Sequence, residues 1–184
     1  HGDIMLAHDH LRRSVLQEMF ALGLRMRAGN DGEPRIDRPA LLDHQMKGLD
    51  GKPLDLCQFE GRAIIVVNTA SKCGYTPQFE KLEGMYKRYR DKGLVVVGFP
   101  SNDFRQELAT NAEVGEFCRL TYGVQFPMAE KTSVTGDSMN PFFRQLAAAT
   151  KQSPRWNFHK YLIAPDGRTV HSFATGVEPD APEV

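Results

Sequence analysis

The segment Asn68-Thr69-Ala70-Ser71-Lys72-Cys73-Gly74-Tyr75-Thr76-Pro77 gathers the chemistry of this chain around one thiol. The continuous apolar run Ala63-Ile64-Ile65-Val66-Val67 leads into it, and a helical pattern follows. A cysteine between the carboxyl end of a buried strand and the start of a helix sits where active sites of open α/β sheets lie. A helix N-terminus offers unpaired N–H groups and partial positive charge, both of which favour thiolate over thiol. Lys72 adds a cation next to it. A polar loop rich in Ser, Lys and Gly is a poor place for an inert buried cysteine. The residue types therefore point to a nucleophilic or redox-active sulfur.

The elements that must position Cys73 follow from periodicity. Ala63–Val67 and Leu94-Val95-Val96-Val97 are uninterrupted apolar strands, the pattern of strands buried on both faces at the centre of a parallel sheet. Between them lies a helix with Phe79, Leu82, Tyr86 and Tyr89 as its stripe, opened by Thr76-Pro77 as cap and first position. Thr110-Asn111-Ala112-Glu113 reads as a capping box for a second helix, which carries Val114, Phe117 and Cys118 on one side. A third helix opens at Asn140-Pro141 and presents Phe142, Leu146 and Ala149. Tyr161-Leu162-Ile163 and 168–173 flank the turn Ala164-Pro165-Asp166-Gly167 as a hairpin. This order is that of a thioredoxin-like α/β fold, a central mixed β-sheet with helices on both faces.

Residues 1–43 form a separate N-terminal helical extension and linker, and 44–184 the thioredoxin-like domain. From Leu11 an amphipathic helix places Leu11, Val15, Met19, Leu22 and Met26 on one stripe. That stripe is open to three uses: packing on the domain, pairing with another chain to give a dimer rather than a monomer, or lying on a membrane surface. Gly29-Asn30-Asp31-Gly32 ends it, and Pro34 and Pro39 bracket the linker. His8-Asp9-His10 lacks a second ligand pair, so no metal is expected.

Composition removes several function classes. The chain has 184 residues, with 23 Lys plus Arg against 23 Asp plus Glu. That balance argues against nucleic acid as a partner. No apolar run approaches the ~20 residues of a membrane-spanning helix. Three cysteines, Cys57, Cys73 and Cys118, are too few and too scattered for a disulfide scaffold or a zinc ribbon. Dinucleotide and phosphate-loop fingerprints are absent, and no cofactor is expected. The chain begins at His1 rather than Met; a cytoplasmic location is carried only as an expectation.

The stretch NTASKCGYTPQF closely resembles the peroxidatic loop of the glutathione peroxidase family in its cysteine form. Gly98-Phe99-Pro100-Ser101-Asn102-Asp103-Phe104 resembles the family's FPxNxF strand end, with Gln106-Glu107 following. The segment 116–127 resembles the one that bears the resolving cysteine in fungal-type members, and Trp156-Asn157-Phe158 matches the WNF motif. The resemblance spans about residues 44 to 176, in order. It implies a catalytic tetrad of Cys73, Gln106, Trp156 and Asn157. Amide and indole N–H groups are neutral donors that suit a sulfur attacking a peroxide bond.

The implied reaction is two-electron reduction of hydrogen peroxide or of organic and lipid hydroperoxides. Cys73 thiolate becomes sulfenic acid, and Cys118 condenses with it as a disulfide. A disulfide needs α-carbons within about 7 Å. With Cys118 on a helix and Cys73 on a loop, the two are expected to stand too far apart in the reduced fold, so the helix around Cys118 is expected to unwind partly in each cycle. The resemblance further implies thioredoxin, or glutathione, as reductant, and an open site that admits bulky hydroperoxides.

The match has departures. Only Arg105 separates Phe104 from Gln106, where the family usually has two residues. Ser101 stands where many members carry a cysteine, and the family normally continues past Val184 into a final helix. Cys57 reads as structural. Two other classes stay open: a cysteine hydrolase with His159 or His171 as base, and a redox relay that passes oxidation from peroxide to a partner protein.

Overall fold

The computed structural model describes residues 38–184 and two short strands, β1 (Arg27–Ala28) and β2 (Pro34–Arg35), which pair antiparallel. The expected helix from Leu11, its possible dimer role and His8-Asp9-His10 lie outside the described residues. The chain divides into two units, His1–Arg38 and Pro39–Val184. The division falls before residue 43 for a packing reason. The short 3-10 turn Ala40–Leu42 inserts Leu42, 1% exposed, into the core of the second unit.

That unit begins with a hairpin of β3 (Gln45–Lys47) and β4 (Pro53–Asp55), closed through Gly51 at φ 78°. Strands β5 (Ala63–Thr69), β6 (Leu94–Pro100), β7 (Lys160–Ile163) and β8 (Val170–Phe173) form the main sheet in the order β6-β5-β7-β8. β5 runs parallel to β6 and antiparallel to β7, and β7 pairs antiparallel with β8. The sheet is thus mixed, and only β5 and β7 are interior.

β6 lies at the edge yet is buried from Val95 to Pro100. An extended segment covers it: Gly98 N–H donates to Pro127 O, and Gly98 O accepts from Ala129 N–H. Gly98 permits that approach, because a Cβ there would stand 2.3 Å from Met128 Sδ and 3.2 Å from Phe126 Cε2. A continuous apolar pattern therefore marked burial correctly but not central position.

Alternation along the strands sends residues to two clusters. Ile64, Val66, Val95 and Val97 face α3 (Pro141–Thr150) with its Phe142, Phe143 and Leu146. Ile65, Val67 and Val96 face α1 (Gln78–Tyr89) and α2 (Asn111–Tyr122). Helices on both faces of a mixed sheet give the thioredoxin-like layout. Phe79 anchors α1, its ring 5.3 Å from Phe158 and 5.5 Å from Tyr122. Full burial of such a side chain is worth about 2–3 kcal/mol.

The caps account for the helix boundaries. Thr110 Oγ1 accepts from Glu113 N–H, the first half of the expected capping box, while Glu113 Oε1 accepts from the Thr110 hydroxyl instead of its backbone N–H. α2 stops at Gly123, φ 59°, whose N–H returns to Arg119 O. Asn140 Oδ1 caps α3 through Phe142 N–H. On α3 Phe143 is buried and Ala149 is exposed, the reverse of the expected stripe at those positions. The hairpin turn is fixed by Asp166, which accepts from Arg168 N–H, Thr169 N–H and the Thr169 hydroxyl.

Candidate active site

The loop after β5 is shaped by Thr76 rather than by the helix end. Thr76 Oγ1 accepts from Cys73 N–H at 3.0 Å and donates to Ala70 O at 2.8 Å. The helix starts only at Gln78, with Pro77 as its cap and no side-chain cap bond. Between Cys73 and Gln78 the chain makes consecutive tight turns, and the N–H groups of 78, 79 and 80 are taken by the carbonyls of 75, 76 and 77. This corrects the expected cap role of Thr76. It also corrects the expectation of a helix opening just past the sulfur: the N–H that reaches Cys73 Sγ is that of Tyr75, at 3.4 Å. Cys73 itself is 8% exposed, while Lys72 beside it is exposed.

Gln106 reaches this loop despite the shortened spacing. Arg105 adopts a left-handed conformation, φ 61°, and its N–H closes a turn on Asn102 O. Such a conformation is uncommon outside glycine and asparagine. Lys72 N–H then donates to Gln106 O at 2.9 Å, which fastens the glutamine to the residue next to Cys73. Gln106 Oε1 accepts from Asn157 Nδ2 at 2.8 Å, a bond spanning 51 residues.

The Trp156-Asn157-Phe158 segment is strapped to the end of β5. Asn68 Nδ2 donates to Trp156 O, and Phe158 N–H donates to Asn68 O at 2.7 Å. Phe158 is also left-handed, φ 62°, with its ring buried against Phe79. Asn157 is fully buried. Trp156 is 38% exposed and lies 5.4 Å from the Phe104 ring. A cleft of about 720 Å³ opens beside Trp156, with Lys151, Arg155, His159 and Thr175 among its walls; Cys73 is not one of them.

Sequence reasoning passed over the support beneath this strap. Lys160 is fully buried, and its three ammonium hydrogens meet Gln78 Oε1, Phe158 O and Thr175 O. Thr175 Oγ1 in turn donates to Asn157 O. Burial pulls the Lys160 pKa down to about 8, with Glu178 acting the other way. Lys160 lies two residues after Phe158 of the WNF motif. Asp103 was also missed: its carboxylate accepts from Ser133 Oγ, Val134 N–H and Thr135 N–H and so moors the loop that carries Gln106.

Among the described residues, six buried side-chain oxygens lack a protein hydrogen-bond partner. Five of them, on Asn68, Thr69, Ser71, Glu107 and Asn157, belong to these segments. Buried polar atoms are normally paired, so their concentration here marks a site.

Cys118 sits inside α2, 2% exposed, in the same apolar cluster as Cys73. Burial first, and then the Glu107 charge, push its thiol up to about 12. Cys73 and Cys118 are free thiols. Cys57 donates to Leu42 O, and its neighbours Leu56 and Phe59 pack in the cluster on the opposite sheet face.

His159 is occupied structurally, its Nε2 2.7 Å from Ser172 Oγ and its ring against Tyr161. Burial, then the Lys160 charge, push its pKa down from 6.5 to about 4. Between those pH values the unfolded chain takes up a proton that the folded chain refuses. Stability should therefore fall as pH drops from 6.5 to 4, by up to about 3 kcal/mol from this residue. Urea unfolding at pH 7 and pH 4.5 checks this, and His159→Gln should flatten the difference.

A free thiol at the carboxyl end of an interior strand of a thioredoxin-like sheet, on a loop tied through Lys72 N–H to a bonded pair of amide side chains, fits a thiol-dependent redox enzyme. The glutathione peroxidase family profile matches residues 41–147. A glutathione peroxidase-like peroxiredoxin of Chlamydomonas reinhardtii is 43% identical over 143 residues, covering 74% of this chain and 88% of that protein. A hydroperoxy fatty acid reductase of Synechocystis sp. is 40% identical over 143 residues, covering 72% and 85%. The apo crystal structure of Trgpx superposes with a TM-score of 0.61 at 31% identity, covering 76% of this chain and 88% of that one. The chain belongs to the glutathione peroxidase family and is a peroxidase.

Proposed function

We propose that this protein reduces hydrogen peroxide and organic hydroperoxides through Cys73, with Gln106, Trp156 and Asn157 as donors and Cys118 as resolving thiol. What carries the reading is the 2.8 Å bond between Gln106 and Asn157, tied to the Cys73 loop through Lys72 N–H. With Oε1 held by Asn157, Gln106 keeps its Nε2 hydrogens for a peroxide oxygen. The donors are neutral, so they hold their role across physiological pH. The thiolate attacks the terminal oxygen and the O–O bond breaks; the leaving oxygen takes up the proton that the Cys73 thiol gave up on ionising and departs as water or an alcohol. Cys73 is left as sulfenic acid.

The cleft beside Trp156 supplies room for the organic part of a hydroperoxide. The Synechocystis relative, a hydroperoxy fatty acid reductase, supports fatty acid hydroperoxides as one substrate class. The name peroxiredoxin on the C. reinhardtii relative supports a dithiol reductant of the thioredoxin type over glutathione. Cys118 is buried inside α2, and its resolving role is paired with partial unwinding of that helix to expose the sulfur.

The test is steady-state NADPH consumption with a thioredoxin system and with a glutathione system, using hydrogen peroxide and a fatty acid hydroperoxide. Faster turnover with thioredoxin on both peroxides is the expected outcome. A single stoichiometric burst with either system would instead make the protein a relay.

A further inference from the structure

Glu107 is a buried carboxyl group that the tetrad does not use. It is 8% exposed. Its Oε1 accepts from Ser71 N–H at 3.1 Å and from Leu108 N–H at 2.8 Å. Oε2 is buried and makes no well-formed hydrogen bond, with the Ser71 hydroxyl as the polar group close to the carboxylate. Ser71 lies two residues before Cys73, and Leu108 packs against the cluster that holds both Cys73 and Cys118. The carboxyl group thus stands at the junction of the loop carrying one sulfur and the helix carrying the other.

Its anchoring is independent of that helix. Glu107 N–H donates to Asn102 Oδ1, and α2 begins only after Thr110. When α2 opens, Glu107 stays with the Ser71 loop. Its free oxygen is then available to a thiol arriving at Cys73.

We propose that Glu107 is the proton acceptor of the resolving step: its carboxylate takes the Cys118 thiol proton as the Cys118 sulfur attacks the Cys73 sulfenic acid. The new bond is Cys73 Sγ–Cys118 Sγ, and the bond broken is the sulfenic S–O. The hydroxide that leaves takes the proton back from Glu107 and departs as water. Cys118 is oxidised as the sulfenic sulfur is reduced, and Glu107 ends as the carboxylate it began as. This rests on the reading of Cys73 and Cys118 as the redox pair.

The electrostatics agree with the assignment. Burial raises the Glu107 pKa, opposed by its bonds from Ser71 and Leu108 and by the Lys131 charge. The groups that face it are the Cys118 thiol, whose proton its charge helps retain in the closed state, and Lys131, whose ammonium bonds Leu108 O and Ala109 O. Cys118 on its own is a poor nucleophile at neutral pH and needs an acceptor for its proton.

The test is rapid-quench oxidation of the reduced full chain by hydrogen peroxide. Trapped sulfenic acid at Cys73 and the disulfide are followed as separate signals. In Glu107→Gln, Cys73 should oxidise within about twofold of wild type, while disulfide formation slows at least about tenfold. The low-pH limb of the resolution rate should flatten in the same variant. Glu107→Asp, which keeps a carboxyl group, should resolve faster than the Gln variant. Equal slowing of both steps would reduce Glu107 to a support for the Ser71 loop and overturn the proposal. So would unchanged resolution in Glu107→Gln, or an Asp variant no better than Gln. Failure of wild-type Cys73 to oxidise is a different result, and it would remove the underlying peroxidase reading as well.

Discussion

Replacing Cys73 by serine is expected to lower peroxide-dependent turnover by at least about 10³-fold, which is about 4 kcal/mol of lost barrier reduction. A serine hydroxyl is not ionised at neutral pH and cannot be oxidised to a sulfenic acid. The site should remain assembled around it, because the loop is held by main chain: Cys73 N–H on Thr76 Oγ1, and Lys72 N–H on Gln106 O. Denaturation midpoints of the variant and wild type should therefore agree within about 1 kcal/mol of stability. Residual activity near the wild-type level would move the chemistry to another residue.

The second large effect is expected at Cys118, and it should be selective. Cys118→Ala keeps the small apolar volume inside α2 and adds a strong helix former. One equivalent of peroxide should still be consumed, but thioredoxin-coupled turnover should fall by at least about tenfold because no disulfide forms for a dithiol to reduce. Hydrogen exchange offers a physical check in wild type. Amides over residues 115–122 should exchange faster in the oxidised protein than in the reduced one, where Val124 N–H still closes on Cys118 O. Protection that is unchanged on oxidation would argue that α2 never opens, and hence that Cys118 is a core residue only.

The architecture and the site were legible to different depths, for physical reasons. Apolar runs report burial, so Ile64–Val67 and Val95–Val97 were placed in the sheet correctly. They do not report neighbours, so the edge position of β6 and its cover by Pro127–Ala129 stayed hidden. Cap chemistry is local, and the Thr110 and Asn140 side chains cap their helices as read. Thr76 shows the limit of that reasoning. A threonine before a proline reads as a helix cap, yet its hydroxyl is spent within the Cys73 turn, a competition that a one-dimensional pattern cannot rank.

The shortened Phe104–Gln106 spacing posed the opposite problem. The sequence showed a missing residue, while the remedy, a left-handed Arg105, is a backbone state that an arginine does not advertise. Lys160 and Glu107 escaped for a related reason. Lysine and glutamate are usually solvated, and only tertiary structure reveals that these two are buried in polar networks under the site.

The most direct measurement is the intact mass and cysteine map of the reduced protein after one equivalent of hydrogen peroxide, with and without a sulfenic acid trap. The account predicts trapped oxidation confined to Cys73 and, without the trap, a Cys73–Cys118 peptide pair with Cys57 unchanged by the peroxide. Oxidation at Cys57 or Cys118 ahead of Cys73, or a Cys73 that survives peroxide unmodified, would contradict it.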